Sequence, residues 1–182
     1  SSIAHAGFIL VGVLAFTEAA ISGVMFYLVV YGFTTIAAFG IVAMVRQGGS
    51  EASHLSQWAG LGRNHPVVAG TFAFLLLAFA GIPLTSGFTA KYAAFAPAVA
   101  SGTTGVVMVV VGVLASAVTA FVYVRLIVLM YFTEPAGDDV VVLTPSVGSV
   151  VAITVGVLAT VIAGVLPSIG LGLAASSAAF LL

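Results

Sequence analysis

From Pro66 to Ala90 the chain carries no Asp, Glu, Lys or Arg, and from Tyr92 to Val124 it carries none again. Such runs exceed the roughly 20 residues that a helix needs to cross a hydrocarbon core about 30 Å thick. Ala19 to Val45 and Val140 to Leu182 are equally free of charge, and Ser1 to Thr17 is a shorter run of the same kind. Of 182 residues, 62% are hydrophobic and 5% charged, where a soluble domain has roughly 25% charged residues. Nine charges, four Lys/Arg plus five Asp/Glu, cannot solvate the exterior of a water-soluble fold, so the expected solvent is lipid.

The runs are apolar on every side instead of alternating residue by residue, which selects helices over a barrel. An all-α, polytopic transmembrane bundle is expected, a single domain over residues 1–182 with about five spans. These fall near 1–17, 20–45, 66–98 with an interruption, 104–132 and 147–166. Arg46-Gln47-Gly48-Gly49-Ser50-Glu51 ends the second span, and Pro66 suits the first turn of the third. Ser101-Gly102-Thr103-Thr104-Gly105 turns the chain, and Glu134-Pro135-Ala136-Gly137-Asp138-Asp139 forms an acidic loop. Thr144-Pro145-Ser146 can cap the last span, which closes around Pro167, and the tail from Ser168 stays apolar. Alternating sides puts the 46–66 loop and the acidic loop on one face. Arg46 and Arg63 lie there, which predicts a cytoplasmic face and an external C-terminus. The chain opens at Ser1 without a charged n-region, so a piece of a longer chain, lacking a signal peptide, is expected.

A net charge of −1 and the lack of any Lys/Arg cluster exclude a nucleic-acid footprint. Zero Cys excludes disulfides, thiolate catalysis and Cys-ligated clusters. His5, His54 and His65 show no metal-ligand spacing, and His54 and His65 belong to the polar loop.

Ala80-Gly81-Ile82-Pro83-Leu84-Thr85-Ser86-Gly87 interrupts an otherwise apolar span. Pro83 has no N–H and its ring opposes the carbonyl of Phe79, Gly81 and Gly87 relax the backbone, and Thr85 or Ser86 can cap a restarted helix. The pattern reads either as two half-helices meeting at a hydrated gap, as in transporters, or as a plain proline kink. Lys91 follows in the second half. An ammonium at that depth must pair, meet water or release its proton, which makes Lys91 a candidate carrier; the alternative is a lysine snorkelling to the headgroups. His5 suits a proton relay or a structural bond to a neighbouring helix. Thr34 and Thr35, beside Tyr31, can line a water chain or bond back to their own helix. Glu18 reads as a solvated turn residue, and Arg125 as snorkelling or pairing with Glu134. Gly112, Ala115, Ser116 and Thr119 offer a face for close helix packing.

Several stretches together resemble the subunit N family of bacterial NADH-quinone oxidoreductase, among the antiporter-like subunits of respiratory complex I. They are Ser1-Ser2-Ile3-Ala4-His5-Ala6-Gly7, Tyr27-Leu28-Val29-Val30-Tyr31-Gly32 running into Ala37-Ala38-Phe39, Gly60-Leu61-Gly62-Arg63-Asn64-His65-Pro66, and Ala80-Gly81-Ile82-Pro83 leading to Gly87-Phe88 and Lys91. The resemblance implies a fold of paired inverted repeats, each with a broken helix, of which this chain supplies the second repeat. It implies that Lys91 is the terminal element of a hydrated proton relay opening outward, with His5 a weaker match. Leu84 stands where many relatives carry a second proline. FMN, iron-sulfur clusters and quinone are then expected in other subunits, with no cofactor or metal on this chain. The implied partners are neighbouring antiporter-like subunits and lipid, in a bacterial inner membrane. Two other readings stay open: a subunit of a multisubunit sodium/proton antiporter, and a structural membrane-arm subunit without an ion path.

Overall fold

The computed structural model describes residues 1–135 and 140–178. The last part of the acidic loop, residues 136–139, and the end of the tail, 179–182, lie outside the described residues. The architecture is an all-α membrane bundle of α1 (Ser2–Val13), α2 (Glu18–Val42), α3 (Leu61–Asn64), α4 (Pro66–Ala80), α5 (Ser86–Ala100), α6 (Thr103–Phe132), α7 (Val147–Val165) and α8 (Pro167–Ala178). Among the described residues α2, α6 and α7 are each long and apolar enough to cross a membrane. The interrupted span consists of α4 and α5, each too short to cross alone.

Local chemistry sets the boundaries. Thr17 caps α2 by accepting from the Ala20 N–H at 3.2 Å, and Glu18 sits in the first turn, where the helix dipole favours a negative charge. α1 therefore ends at Val13, four residues short of the expected span, because residues 14–17 are used to turn the chain into that cap. Pro66 opens α4, and Ser146 caps α7 by accepting from the Ser149 N–H at 3.2 Å. α7 ends at Val165, just before Pro167. Pro167 starts α8, so the tail continues as helix, and its Ala174 and Ala178 are buried against the bundle.

α2 is the hub and packs against α1, α4, α5, α7 and α8. α7 approaches it through Gly156 and Thr160, and Gly164 follows one turn on along the same face. A β-carbon on Gly156 would fall 2.6 Å from the Phe33 carbonyl oxygen, and one on Gly164 would fall 2.8 Å from both the Leu84 oxygen and the Ser86 nitrogen. The small face of α7 thus runs along α2 and ends on the interruption between α4 and α5. By contrast, α6 buries only Gly105, Gly112, Tyr123 and Met130 and presents Val110, Leu114, Val118 and Phe121 outward. A soluble helix would not leave such a face to water, so the face is one for lipid or further protein to cover.

The loops add a feature that helix-period reasoning did not anticipate. β1 (Val45–Gln47), β2 (Ser50–Glu51) and β3 (Val140–Val142) form a three-stranded antiparallel sheet in the order β2-β1-β3. It joins the 46–66 loop to the segment before α7, so both lie at the same end of the bundle. Trp58 locks this end by stacking on Phe72 at 4.9 Å and donating to the Ala52 carbonyl at 3.1 Å. The Arg125–Glu134 pair expected as one alternative is replaced: Glu134 meets Arg63 of α3 at 3.4 Å. Arg125 is exposed on α6.

Replacing Gly164 by Val forces a branched side chain against backbone that cannot yield, and should lower stability by about 1–3 kcal/mol. Gly32→Ala, with nothing within 4 Å of the added carbon, should not lower it. Thermal unfolding of the detergent-solubilised protein, followed by helical circular dichroism, measures both.

Candidate functional site

The interruption between α4 and α5 is a true break and not a kink. Gly81 takes a left-handed φ of 80°, Leu84 one of 69°, and helix resumes at Ser86. Thr85 occupies the cap position of α5, yet its hydroxyl donates back to the Ile82 carbonyl at 2.6 Å instead of capping the helix. Gly87 lies so close to the Ala78 carbonyl that no side chain would fit between them.

A helix that stops inside a membrane leaves its last carbonyls without partners. Here each is accounted for. The Gly81 N–H bonds to Leu77 and Ala78, and the Ile82 N–H bonds to Leu77. Phe79 and Ala80 have lost their helical donors: Pro83 carries no N–H to offer Phe79, and Leu84 has turned away. Lys91 supplies the replacement. Its Nζ donates to the Phe79 carbonyl at 3.1 Å and to the Ala80 carbonyl at 2.9 Å, and its third hydrogen goes to Ser116 Oγ of α6 at 2.7 Å. Nζ also stands 5.2 Å from the centre of the Phe8 ring. Lys91 is only 8% exposed, so it does not snorkel outward. It is held by protein groups at the negative end of the α4 dipole, on a cleft of about 350 Å³ lined by Gly81, Phe88, Tyr92 and Ser116.

His5 belongs to a second polar cluster nearby. Its Nδ1 is 2.9 Å from the Tyr27 hydroxyl, its Nε2 is 3.5 Å from the Tyr123 hydroxyl, and its ring stacks on Tyr31 at 4.4 Å. Tyr123 also bonds to Ser1 Oγ, and the Tyr31 hydroxyl donates to Ser2 Oγ at 3.5 Å. With a hydroxyl on each nitrogen, the imidazole can take a proton on one side and release it on the other.

The two threonines of α2 separate. Thr34 donates to the Val30 carbonyl at 2.8 Å and lies 2.9 Å from Thr160 Oγ1 of α7, tying the helices together. It also lines a void of about 10 Å³ shared with His5, Tyr27 and Gly87, near the lower limit for one water. Thr35 Oγ1 is buried without a hydrogen-bond partner among the described residues. It lines a cavity of about 150 Å³ with Ser1, Ser2, Tyr31 and Tyr123.

The transmembrane family described as NADH:quinone oxidoreductase/Mrp antiporter matches residues 1–119. The chain belongs to this family. The matched part of this antiporter-like chain contains His5, Thr34, Thr35, the break, Lys91 and Ser116, while Tyr123 and Thr160 lie beyond it. Similar proteins include NADH-quinone oxidoreductase subunit N of Saccharopolyspora erythraea, 56% identical over 94% of this chain and 33% of the relative. The subunit N of Rhodococcus opacus is 53% identical over 99% of this chain and 33% of the relative. The chain thus spans about a third of the length of the curated relatives it matches. Among solved structures, a chain of respiratory complex I from Thermus thermophilus with bound aureothin aligns with TM-score 0.77 and 26% identity, covering 94% of this chain and 38% of that one.

Within this family member, the spacing of residues around Lys91 and His5 concealed several partners. Tyr27, Tyr31 and Thr34 recur at helical spacing on one face of α2, a signal that could have marked Tyr27. Ser116, read as a packing residue, and Tyr123 are brought in by α6, and no local pattern points to them.

Lys91→Met leaves the Phe79 and Ala80 carbonyls without a donor and should lower stability by about 2 kcal/mol, with about 1 kcal/mol for Ser116→Ala. Thermal unfolding in detergent reads both. A methionine variant as stable as the parent would show that other groups satisfy the end of α4.

Proposed function

We propose that this chain is the C-terminal portion of a subunit N and forms the second antiporter-like repeat of a proton-translocating subunit of NADH-quinone oxidoreductase, in a bacterial cytoplasmic membrane. The observation that carries the reading is the buried Lys91 ammonium. It rests on the open end of a broken transmembrane helix, beside a cleft, with no carboxylate among its hydrogen-bond partners. In this proposal Lys91 is the proton carrier, Ser116 orients it, and His5 with its hydroxyl partners is a second relay point. Thr35 supports water in the adjoining cavity. Redox chemistry belongs to other subunits, which hold FMN, iron-sulfur clusters and quinone, and the neighbours in the membrane are other antiporter-like subunits and lipid.

Electron transfer elsewhere can drive such a site only through charge. A unit charge arriving 4 Å away is worth about 4 kcal/mol at an effective dielectric near 20, roughly a thousandfold in the proton affinity of such a lysine. Names of the relatives, all subunit N among those given above, favour this reading over a stand-alone sodium/proton antiporter.

The test is proton pumping by inside-out vesicles bearing Lys91→Ala or Lys91→Arg in the full-length subunit, with assembly checked on native gels and electron transfer measured separately. The assembled alanine variant should lose pumping, and the arginine variant should assemble and pump poorly, since a guanidinium does not release its proton. An alanine variant that assembles and pumps normally would leave the chain a structural role.

A further inference from the structure

The polar groups around Lys91 and His5 do not touch, and Phe79 stands between them. We propose that the Phe79 ring is a gate that keeps water from joining the Lys91 cleft to the His5 cluster until Lys91 gives up its proton. The inference rests on the reading of Lys91 as a proton carrier. Phe79 is the penultimate residue of α4, and its two ends face different chambers. Its carbonyl accepts from Lys91 Nζ at 3.1 Å. Its ring lies 5.6 Å from His5, 5.8 Å from Tyr31 and 5.9 Å from Tyr123, and it lines both the void beside Thr34 and the cavity beside Thr35. The 350 Å³ cleft at Lys91 opens on the other side of the same helix end.

Phe8 also stands between the groups, its ring 5.5 Å from His5 and 5.2 Å from Lys91 Nζ, but it is fully buried in the core and its backbone makes no bond to Lys91. Phe79 differs in being half-buried, beside the break, and tied to Lys91 through its own backbone. An ammonium with three hydrogens holds both the Phe79 and Ala80 carbonyls and Ser116 at once. A neutral amine has two hydrogens and one lone pair, so it holds the two carbonyls only through weaker, uncharged bonds and accepts the Ser116 hydrogen in place of donating to it. The end of α4 is then held less tightly, the ring can swing from the three aromatic rings it contacts, and water bridges the chambers. The proton that leaves Nζ goes to water on the cleft side; once the chambers are bridged, one proton passes from the His5 imidazolium to Nζ, His5 losing one positive charge and Lys91 gaining it, and this reprotonation draws the ring back.

The test places Phe79→Ala and Phe79→Leu in the full-length subunit of the assembled complex and measures protons pumped per electron and stimulation of NADH oxidation by an uncoupler. The alanine variant should keep its uncoupled electron-transfer rate, pump fewer protons per electron and lose uncoupler stimulation. Leucine, which keeps the bulk without the ring, should restore both. A purely structural Phe79 would change assembly or rate and leave the proton-to-electron ratio untouched. Lys91→Ala is measured beside them. If it pumps normally, the underlying reading of Lys91 fails. If it stops pumping while Phe79→Ala pumps at the parental ratio, the gate alone is overturned. Should Phe79→Ala not assemble, Phe79→Val takes its place. Tight coupling in Phe79→Val, or failure of both to assemble, makes Phe79 a packing residue and sinks the proposal.

Discussion

Lys91 closes the end of α4, and most of what surrounds it depends on that closure. A transmembrane helix cannot stop at membrane depth unless its last carbonyls find donors, and each one left bare costs on the order of 1 kcal/mol or more. The Gly81 turn satisfies two of the four, and the lysine satisfies the other two. Pro83 makes this necessary, since it removes the N–H that an unbroken helix would present to Phe79. The proline and the lysine are therefore two halves of one device: one opens the helix and the other fills the opening with a charge.

The break also needs support from outside, because a backbone with Gly81 and Leu84 both at positive φ has no ladder of its own. Leu84 in that region costs on the order of 1–2 kcal/mol. α7 supplies the support by laying Gly164 on the backbone at Leu84 and Ser86. α7 is held in turn by Gly156 against α2 and by the Thr160 hydroxyl, which donates to Thr34 Oγ1 at 2.9 Å. Ser116 anchors the lysine to α6. Each helix that fixes Lys91 thus does so through a small residue or a hydroxyl, the residue types that let helices approach closely where hydrophobic driving force is absent.

This pattern explains what the sequence could reveal. Runs without charge report the spans directly, since lipid excludes charge whatever the packing. Gly81, Pro83 and Lys91 were legible because a proline and an ammonium are costly at membrane depth under any arrangement, so their presence demands a local remedy. Thr34 and Thr35 were recognised as polar and mid-helix, but not separated. A threonine can satisfy itself on its own helix, and only the arrival of Thr160 from α7 decides which of the two does more. Tyr123 reaches His5 across 118 positions of sequence, and Glu134 reaches Arg63 across 71. Such pairings follow from how helices and loops come together, which periodicity does not encode. The β1–β3 pairing was hidden for the same reason, as Val140–Val142 reads equally well as the start of an apolar span.

The most telling property of the site is what compensates the lysine. Its Nζ meets two carbonyl oxygens and one hydroxyl, all neutral dipoles, and no carboxylate among the described residues bonds to it. A lysine paired with a buried carboxylate is locked, because losing its proton would strand an opposite charge. One held by dipoles leaves no stranded charge when it becomes neutral and gives up only part of one hydrogen-bond set. Such a group responds to whatever charge comes near. The helix end and the face of the Phe8 ring, 5.2 Å from Nζ, both hold the ammonium in place, and an approaching positive charge works against them.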